Sequence, residues 1–144
     1  MDELNLENTK SKSQLWIGVG CLLAAISVGF GAIGAHMLEK WLLENFEDAA
    51  RRQEIWETAS RYLMYHALGL IAVGLVNFSG RFKRNLVGIV MLIGVILFCG
   101  CLYGYVLTNV KVLVHIVPLG GLSLIVSWLM FAAFTISFKN EGGA

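Results

Sequence analysis

The chain has 144 residues and a formal net charge of +1; 57% of its residues are hydrophobic and only 15% are charged. With its 16 glycines added, its apolar share lies well above the about 45–50% of soluble domains. So few polar side chains cannot cover a fold in water, which excludes a soluble enzyme, a disordered chain and a nucleic-acid-binding protein. The composition predicts a membrane protein that contacts the lipid bilayer, and the length allows one domain.

The charged residues leave four uncharged windows, each about as long as a membrane-spanning helix needs to be. The windows contain 26, 19, 26 and 27 residues and run over Ser13–Leu38, Tyr62–Gly80, Asn85–Val110 and Val112–Phe138. Only helices satisfy all their backbone groups within one segment in lipid, and short links make neighbouring helices antiparallel. We therefore predict an all-α fold, an integral membrane four-helix antiparallel bundle with spans at about 15–38, 62–80, 85–110 and 112–138.

Three segments lie outside these predicted spans. In residues 39–61, apolar side chains recur every three to four positions, with breaks. We predict an interfacial helical segment of one or two pieces, anchored by Trp41 and Trp56, and a solvated loop is the alternative. Residues 1–14 and 139–144 are predicted to be polar tails.

The basic residues suggest an orientation for the bundle. The termini and the Arg81–Arg84 turn together carry six Lys and Arg residues, against five on the opposite side. Because basic residues close to membrane spans concentrate on the inner side, we expect the termini on the cytoplasmic or matrix side.

Glycines of the first window form a literal G-x-G-x-x-G motif at Gly29, Gly31 and Gly34. A dinucleotide site needs this motif between a strand and a helix, so its position inside a membrane helix excludes that reading. Small residues four positions apart instead allow close helix contact, here between the first and third helices, within one protomer or between two. The predicted helix-packing residues are Gly29, Gly31, Gly34, Gly100, Gly104, Gly120 and Gly121.

One membrane face receives every histidine and tyrosine of the chain. This face holds the end of helix one, the start of helix two, the end of helix three and the start of helix four. The residues concerned include His36, Tyr62, Tyr65, His66, Tyr103 and His115. Because His66 lies about one turn inside its helix, we expect Tyr62 or Tyr103 to supply a hydrogen-bond partner. A structural hydrogen-bond layer, a ligand pocket and metal or haem ligation are the open alternatives.

Catalytic and metal-binding patterns are missing from the sequence. No Asp or Glu lies within any of the four windows, and neither an H-E-x-x-H motif nor a Cys/His cluster occurs. Without such carboxylates a histidine cannot be oriented toward a nucleophile, and a metal lacks ligands. We therefore predict no metal, no cofactor and no enzymatic activity.

Four blocks, in order, resemble a family of small four-helix membrane proteins of unknown function that includes transmembrane protein 256. The blocks are GFGAIGAHML from Gly29, WETASRYLMYHALGL from Trp56, FCGCLY from Phe98, and PLGGL from Pro118 followed by Trp128. The resemblance covers about residues 15–135 and implies a bacterial plasma or mitochondrial inner membrane. The resemblance implies no biochemical activity for this chain. Motif positions hold His36, Thr58, Tyr62, His66, Tyr103 and Pro118, which adds Thr58 to the candidate polar layer, whereas His115 lies outside the motifs.

Two functions follow as hypotheses. The first is a structural or accessory subunit that packs against a membrane-protein partner, or against its own copies, through glycine-rich faces. The alternative is a protein that binds a lipophilic ligand (quinone, haem or lipid) at the His/Tyr layer. A transporter has the least support, because such proteins use intramembrane charges or broken helices at mid-depth.

Overall fold

The computed structural model describes the backbone of residues 2–78 and 80–141, and the side chains of residues 13–78 and 80–137. Six α-helices and two π turns follow one another along the chain. They are α1 (Asp2–Ile33), a first π turn (Gly34–Leu38), α2 (Glu39–Asn45), α3 (Ala49–Leu75), α4 (Arg81–Val95), a second π turn (Ile96–Gly100), α5 (Cys101–Thr108) and α6 (Val112–Glu141).

The π turns do not interrupt the helices that contain them. Helical dihedral angles continue through Ile33 and Glu39 on either side of the first turn, and through Val95 and Cys101 around the second. The described backbone is therefore four continuous helices, which confirms the predicted all-α four-helix fold. Three of these helices are long and apolar enough to cross a membrane: Ser13–Asn45, Arg81–Thr108 and Val112–Ser137.

The remaining helix, α3, lies at the centre of the bundle. It packs along α1 and also contacts α2, α4 and α5. Its buried side chains include Arg52, Ser60 and His66, so these three polar groups face the interior of the protein. The helix ends at Leu75 and the backbone is extended at Val76, which lies before the end of the predicted span at 62–80. That this helix crosses the membrane stays a prediction.

The structure differs from the predicted limits of the polar segments, and at the C-terminal end α6 continues to Glu141, so residues 139–141 are helical rather than part of a tail. Residues 2–14 belong to α1 rather than to a separate tail, because they contain neither Gly nor Pro to end a helix. Residues 39–61 are helical, as predicted, but they continue α1 and begin α3 on either side of a short turn at 46–48. The last residues, 142–144, lie outside the described part.

The two tryptophans predicted as interfacial anchors have different environments. Trp41 is 38% exposed and its ring lies 5.6 Å from that of Phe46. Trp56 is only 4% exposed, and its Nε1 donates a hydrogen bond of 2.7 Å to the carbonyl of Phe30. Trp56 is therefore a core residue rather than an anchor, because α3 turns this side chain toward α1.

The first π turn is held by side chains of α3. A π turn disturbs the regular i→i−4 hydrogen bonds and leaves carbonyls in need of other donors. The Trp56 indole reaches the Phe30 carbonyl, and the Gln53 amide donates to the carbonyl of Gly34 at 2.9 Å. A Cβ at Gly34 would lie 2.7 Å from the Trp56 ring, so glycine is needed where the two helices meet.

The close helix contacts are not those that the small-residue pattern predicted. The first helix packs mainly against α3, and α4 packs mainly against α6. An added Cβ at Gly20 would lie 2.6 Å from the carbonyl oxygen of Ala67, and one at Gly94 would lie 2.5 Å from Leu124. Helices one and three do meet within this protomer, where an added Cβ at Gly88 would lie 2.5 Å from Trp16, but the predicted small residues do not make this contact. Residue spacing marks a close-packing face without identifying its neighbour.

The seven predicted packing glycines fall into two groups. Four face neighbours, most closely Gly120, where an added Cβ would lie 2.5 Å from the backbone nitrogen of Phe98 in the second π turn. Gly34 and Gly104 also face side chains within 3 Å, and Gly121 has ordinary contacts at 3.7 Å. The other three have no atom within 4 Å of an added Cβ: Gly29, Gly31 and Gly100.

Arg52 connects three parts of the fold at one end of the bundle. It is 2% exposed, and its Nη1 donates to the carbonyls of Tyr105 and Val106 at 3.2 and 3.1 Å. Its Nη2 donates to Oδ1 of Asn109 at 2.6 Å, and its Nε to Oδ1 of Asp48 at 2.6 Å. We call this group the Arg52 clasp. It donates to carbonyls in the last turn of α5, where Tyr105 also accepts from the backbone nitrogen of Asn109 and where helix ends leave carbonyls in need of donors.

Gly120→Ala is expected to destabilise the bundle. The new methyl group would meet backbone atoms of the second π turn, which cannot rotate away, so we expect a loss of about 1–3 kcal/mol in the free energy of unfolding. Gly29→Ala is the matched control, because open space and the higher helix propensity of alanine predict unchanged or slightly higher stability. Thermal unfolding in detergent measures both, and equal melting temperatures would contradict the close contact.

Arg52→Met is expected to loosen the end of the bundle. Removing the guanidinium takes a donor from the Val106 carbonyl, from Asn109 and from the Asp48 carboxylate, at a cost of about 2–3 kcal/mol. Its neighbour Arg51 is exposed, so Arg51→Met should change stability by less than about 0.5 kcal/mol. If the two variants have the same melting temperature, the clasp contributes no stability of its own.

The clasp also makes stability depend on pH. The hydrogen bond from Arg52 lowers the pKa of Asp48 below its ordinary value of 3.8. Because the folded-state pKa is the lower one, this stabilisation is present above about pH 4 and is lost as the pH falls through the depressed pKa. Asp48→Asn should flatten the acid side of the melting-temperature profile, and a profile that keeps the wild-type slope would contradict this assignment.

Candidate functional site

A cavity of about 430 Å³ opens between α3, the second π turn and α6. Three of its lining residues were predicted members of the His/Tyr layer, and the others are mainly apolar. We call it the His66 pocket. It is lined by Tyr62, Tyr65, His66, Phe98, Gly121, Leu124, Ile125 and Trp128.

His66 is the buried polar group of this pocket, with 5% of its surface exposed. Its Nδ1 lies 2.6 Å from the carbonyl oxygen of Tyr62. Because a carbonyl only accepts, Nδ1 carries the proton and donates, which leaves Nε2 of the neutral ring as an acceptor. Tyr62 thus supplies the expected partner, through its backbone rather than its hydroxyl group. Within the described part of the chain Nε2 has no such partner.

Aromatic rings form the walls around this histidine. The Tyr62 ring lies 4.9 Å from the ring of Phe98 and 6.1 Å from the imidazole, with which it is stacked. The Trp128 ring lies 6.1 Å from the imidazole on the α6 side. Tyr62 and Tyr65 are 41% and 56% exposed, so the pocket is open on the side of their hydroxyl groups.

The pocket forms where glycines of α6 lie against the second π turn. The Gly120 backbone contact brings α6 against the second π turn, and the neighbouring Gly121 has no side chain to fill the space beside Phe98. Tyr62 and His66 share a face of α3 because they are four positions apart. The spacing of residues along α3 therefore positions the polar residues of the pocket. The packing of α6 against the second π turn supplies its apolar wall.

Tyr103 lies in a different cluster from His66. It is buried, and its hydroxyl group is 2.9 Å from the Ser60 hydroxyl group. Its ring contacts those of Trp56 and Phe30 at 4.6 and 4.8 Å between centroids. A second serine, Ser27, donates to the Ser60 carbonyl at 2.8 Å. Tyr103 thus links α1, α3 and α5, and it does not line the His66 pocket.

The other predicted layer residues do not join either cluster. His36 is exposed within the first π turn, and His115 is exposed near the start of α6. Thr58 borders a separate cavity of about 240 Å³ and accepts a hydrogen bond from Arg61 at 3.3 Å. Among the residues that the structure describes, no group of three or more His, Cys, Asp or Glu side chains could hold a metal ion.

Sequence reasoning missed Phe98, Trp128 and the apolar residues of α6 as pocket residues. Phe98 and Trp128 did lie in the blocks that carried the family resemblance, and this was the available signal. Spacing alone could not have found them, because Phe98 lies within a π turn that departs from the regular helical repeat, and the contact of Trp128 depends on which helix packs against α6.

The comparisons with known proteins agree with this description. Residues 30–121 match the family described as "Protein of unknown function (DUF423)". A UPF0382 membrane protein of Staphylococcus epidermidis is 38% identical over 127 residues, covering 88% of this chain and 99% of the relative. The relative from Bacillus subtilis, UPF0382 membrane protein YwdK, is 35% identical over 127 residues, covering 87% and 98%. No solved structure matches the chain.

Proposed function

Because the chain belongs to the DUF423 family of UPF0382 membrane proteins, and so is an integral membrane protein in contact with lipid, we propose a non-enzymatic binding function. The ligand is a lipophilic molecule with a flat, hydroxylated ring, such as a quinol, and it binds in the His66 pocket. The observation that carries this proposal is a buried histidine with one ring nitrogen already bonded and the other left as an acceptor.

Size and lining favour such a molecule. Small-molecule sites in proteins commonly have about 300–1,000 Å³ and a mostly apolar wall with few polar groups, and the His66 pocket has about 430 Å³. The rings of Phe98 and Trp128 offer flat faces for stacking. A ligand hydroxyl group can donate to Nε2 of His66, and the Tyr65 hydroxyl group can donate to a second ligand oxygen.

The arrangement favours an organic ring over haem. Axial ligation by two histidines would need a second imidazole beside His66. Neither His36 nor His115 lines the pocket. A quinol, in contrast, needs one acceptor, aromatic walls and an opening toward the lipid in which it dissolves.

Quinol binding tests the proposal directly. The full chain in nanodiscs is titrated with decylubiquinol, and quenching of tryptophan fluorescence reports occupancy next to Trp128. His66→Leu should weaken binding about tenfold, the equivalent of one lost hydrogen bond. Gly121→Leu should prevent binding by filling the cavity.

Tyr103→Phe is the matched control, because it removes a buried hydroxyl group outside the pocket and should leave affinity unchanged. Equal affinity of the wild type and His66→Leu would contradict the proposal. So would the lack of any quenching by decylubiquinol together with an organic extract of the purified protein that contains no ring-headed amphiphile.

A second candidate function is that of a structural or accessory subunit. A row of small residues on α1 is exposed among the described residues, with no atom within 4 Å of an added Cβ at its two glycines, and small residues allow helices to approach closely in membranes. The row is formed by Gly18, Ala25, Gly29 and Ala32. We infer that this row contacts a helix of another copy or of a membrane partner.

Gly29→Leu should disrupt that association. Crosslinking in native membranes, followed by mass spectrometry, is expected to show a higher-mass species for the wild type and its loss in the variant. Leu129→Ala on α6, at an exposed position away from the row, is the control. A wild-type chain that stays monomeric and without partner in the membrane would contradict this function.

A further inference from the structure

The first turn of α4, Arg81–Arg84, carries a basic cluster at the opposite end of the bundle from the Arg52 clasp. Three of its four residues are basic in the run Arg81-Phe-Lys-Arg84. The Lys83 Nζ lies 5.7 Å from the centre of the Phe134 ring on α6. Phe82, between the basic residues, is 76% exposed. This turn therefore combines positive charge with an aromatic side chain that points away from the protein.

Arg84 is the unusual member of the cluster. It is 7% exposed, yet its Nε and Nη1 are buried without a hydrogen-bond partner among the described residues. Its guanidinium carbon lies 6.0 Å from the centre of the Phe78 ring, at the outer limit of a cation–π contact. A guanidinium group stays charged at any accessible pH, so these donors need an anion.

The described protein supplies no anion at this end. Every Asp and Glu whose side chain the structure describes lies between Glu39 and Glu57, in α2, the turn at 46–48 or the first turns of α3, whereas α4 begins after the end of α3. The oxygen of the neighbouring Asn85 side chain already accepts a hydrogen bond from Trp16 Nε1 at 3.1 Å. The missing partner of Arg84 therefore has to come from outside the described chain.

The backbone adds positive polarity to the same place. The N-cap residue of α4, Gly80, has a positive φ of 99°, and no side chain caps this end of the 15-residue helix. The first amide groups of a helix attract anions, and phosphate groups in particular. Glycine suits this position because a side chain would be strained at that φ, and the space beside it is open, with no atom within 4 Å of an added Cβ.

We propose that the Arg81–Arg84 turn binds the phosphate of an anionic membrane lipid, with Arg84 as its main contact. A lipid is favoured over a soluble phosphate because Phe82 is exposed beside the site and the helices that leave the turn are apolar. Long basic side chains at membrane boundaries commonly bind lipid headgroups, and basic clusters there attract anionic lipids. This site is independent of the His66 pocket.

Lipid binding to the full chain tests the site. Native mass spectrometry of the protein released from nanodiscs of phosphatidylcholine, with and without phosphatidylglycerol, counts the retained lipids. The wild type should retain phosphatidylglycerol in preference to phosphatidylcholine. Arg84→Met should weaken this retention about tenfold, since a charge-assisted pair is lost. Arg61→Met is the control, because Arg61 is an exposed arginine far from this turn.

Several outcomes would overturn the proposal. Equal retention of the two lipids by the wild type would do so, as would unchanged retention by Arg84→Met. Release of the bound lipid by inorganic phosphate would assign the site to a soluble anion instead. If Arg84→Met does not fold, Arg84→Gln replaces it with the same expected loss; if neither folds, the lipid preference of the wild type decides.

Discussion

The Arg52 clasp is the contact on which the arrangement of the bundle depends. One buried guanidinium holds the turn at 46–48, the first turn of α3 and the last turn of α5. The Phe46 ring covers it, with the guanidinium carbon 3.8 Å from the ring centre. Because the α5 carbonyls and the Asp48 carboxylate together satisfy the charge, a permanent cation is tolerated in a buried site. The clasp fixes the start of α3 against the end of α5, and α3 lies at the centre of the bundle, in contact with α1, α2, α4 and α5.

The central position of α3 explains how an otherwise apolar bundle contains polar groups. Ser60 and His66 each bond to a group of the protein, which lowers the cost of burying them. Both π turns lie where another helix approaches closely: the first beneath Trp56 and Gln53 of α3, the second beneath Gly120 of α6. The irregular backbone is thus supported by protein on the inner side, the condition under which it is tolerated at membrane depth.

The two ends of the bundle differ in whether their buried arginine has hydrogen-bond partners. Arg52 has a full set of partners, whereas Arg84 has buried donors that the described chain leaves unpaired. Arg52 therefore makes a structural contact, whereas the unpaired donors of Arg84 fit a site that binds an anion. The His66 pocket lies between these ends and opens through Tyr62 and Tyr65. A lipophilic ligand at the pocket and a lipid phosphate at the basic turn would occupy separate places on one small protein.

The sequence by itself determined that the chain is a helical membrane protein, because charged side chains are costly in hydrocarbon and their positions therefore mark the apolar helices. It also placed Tyr62, Tyr65 and His66 together, since residues three and four apart share a helix face. It did not give the helix ends, because backbone hydrogen bonding continues through polar residues outside the lipid, as at Asp2 and Ala49. Only the tertiary structure decided that Tyr103 joins Trp56 while Phe98 and Trp128 join His66. That choice depends on the π turns, which rotate later residues out of the regular 3.6-residue repeat, and on which helix packs against which.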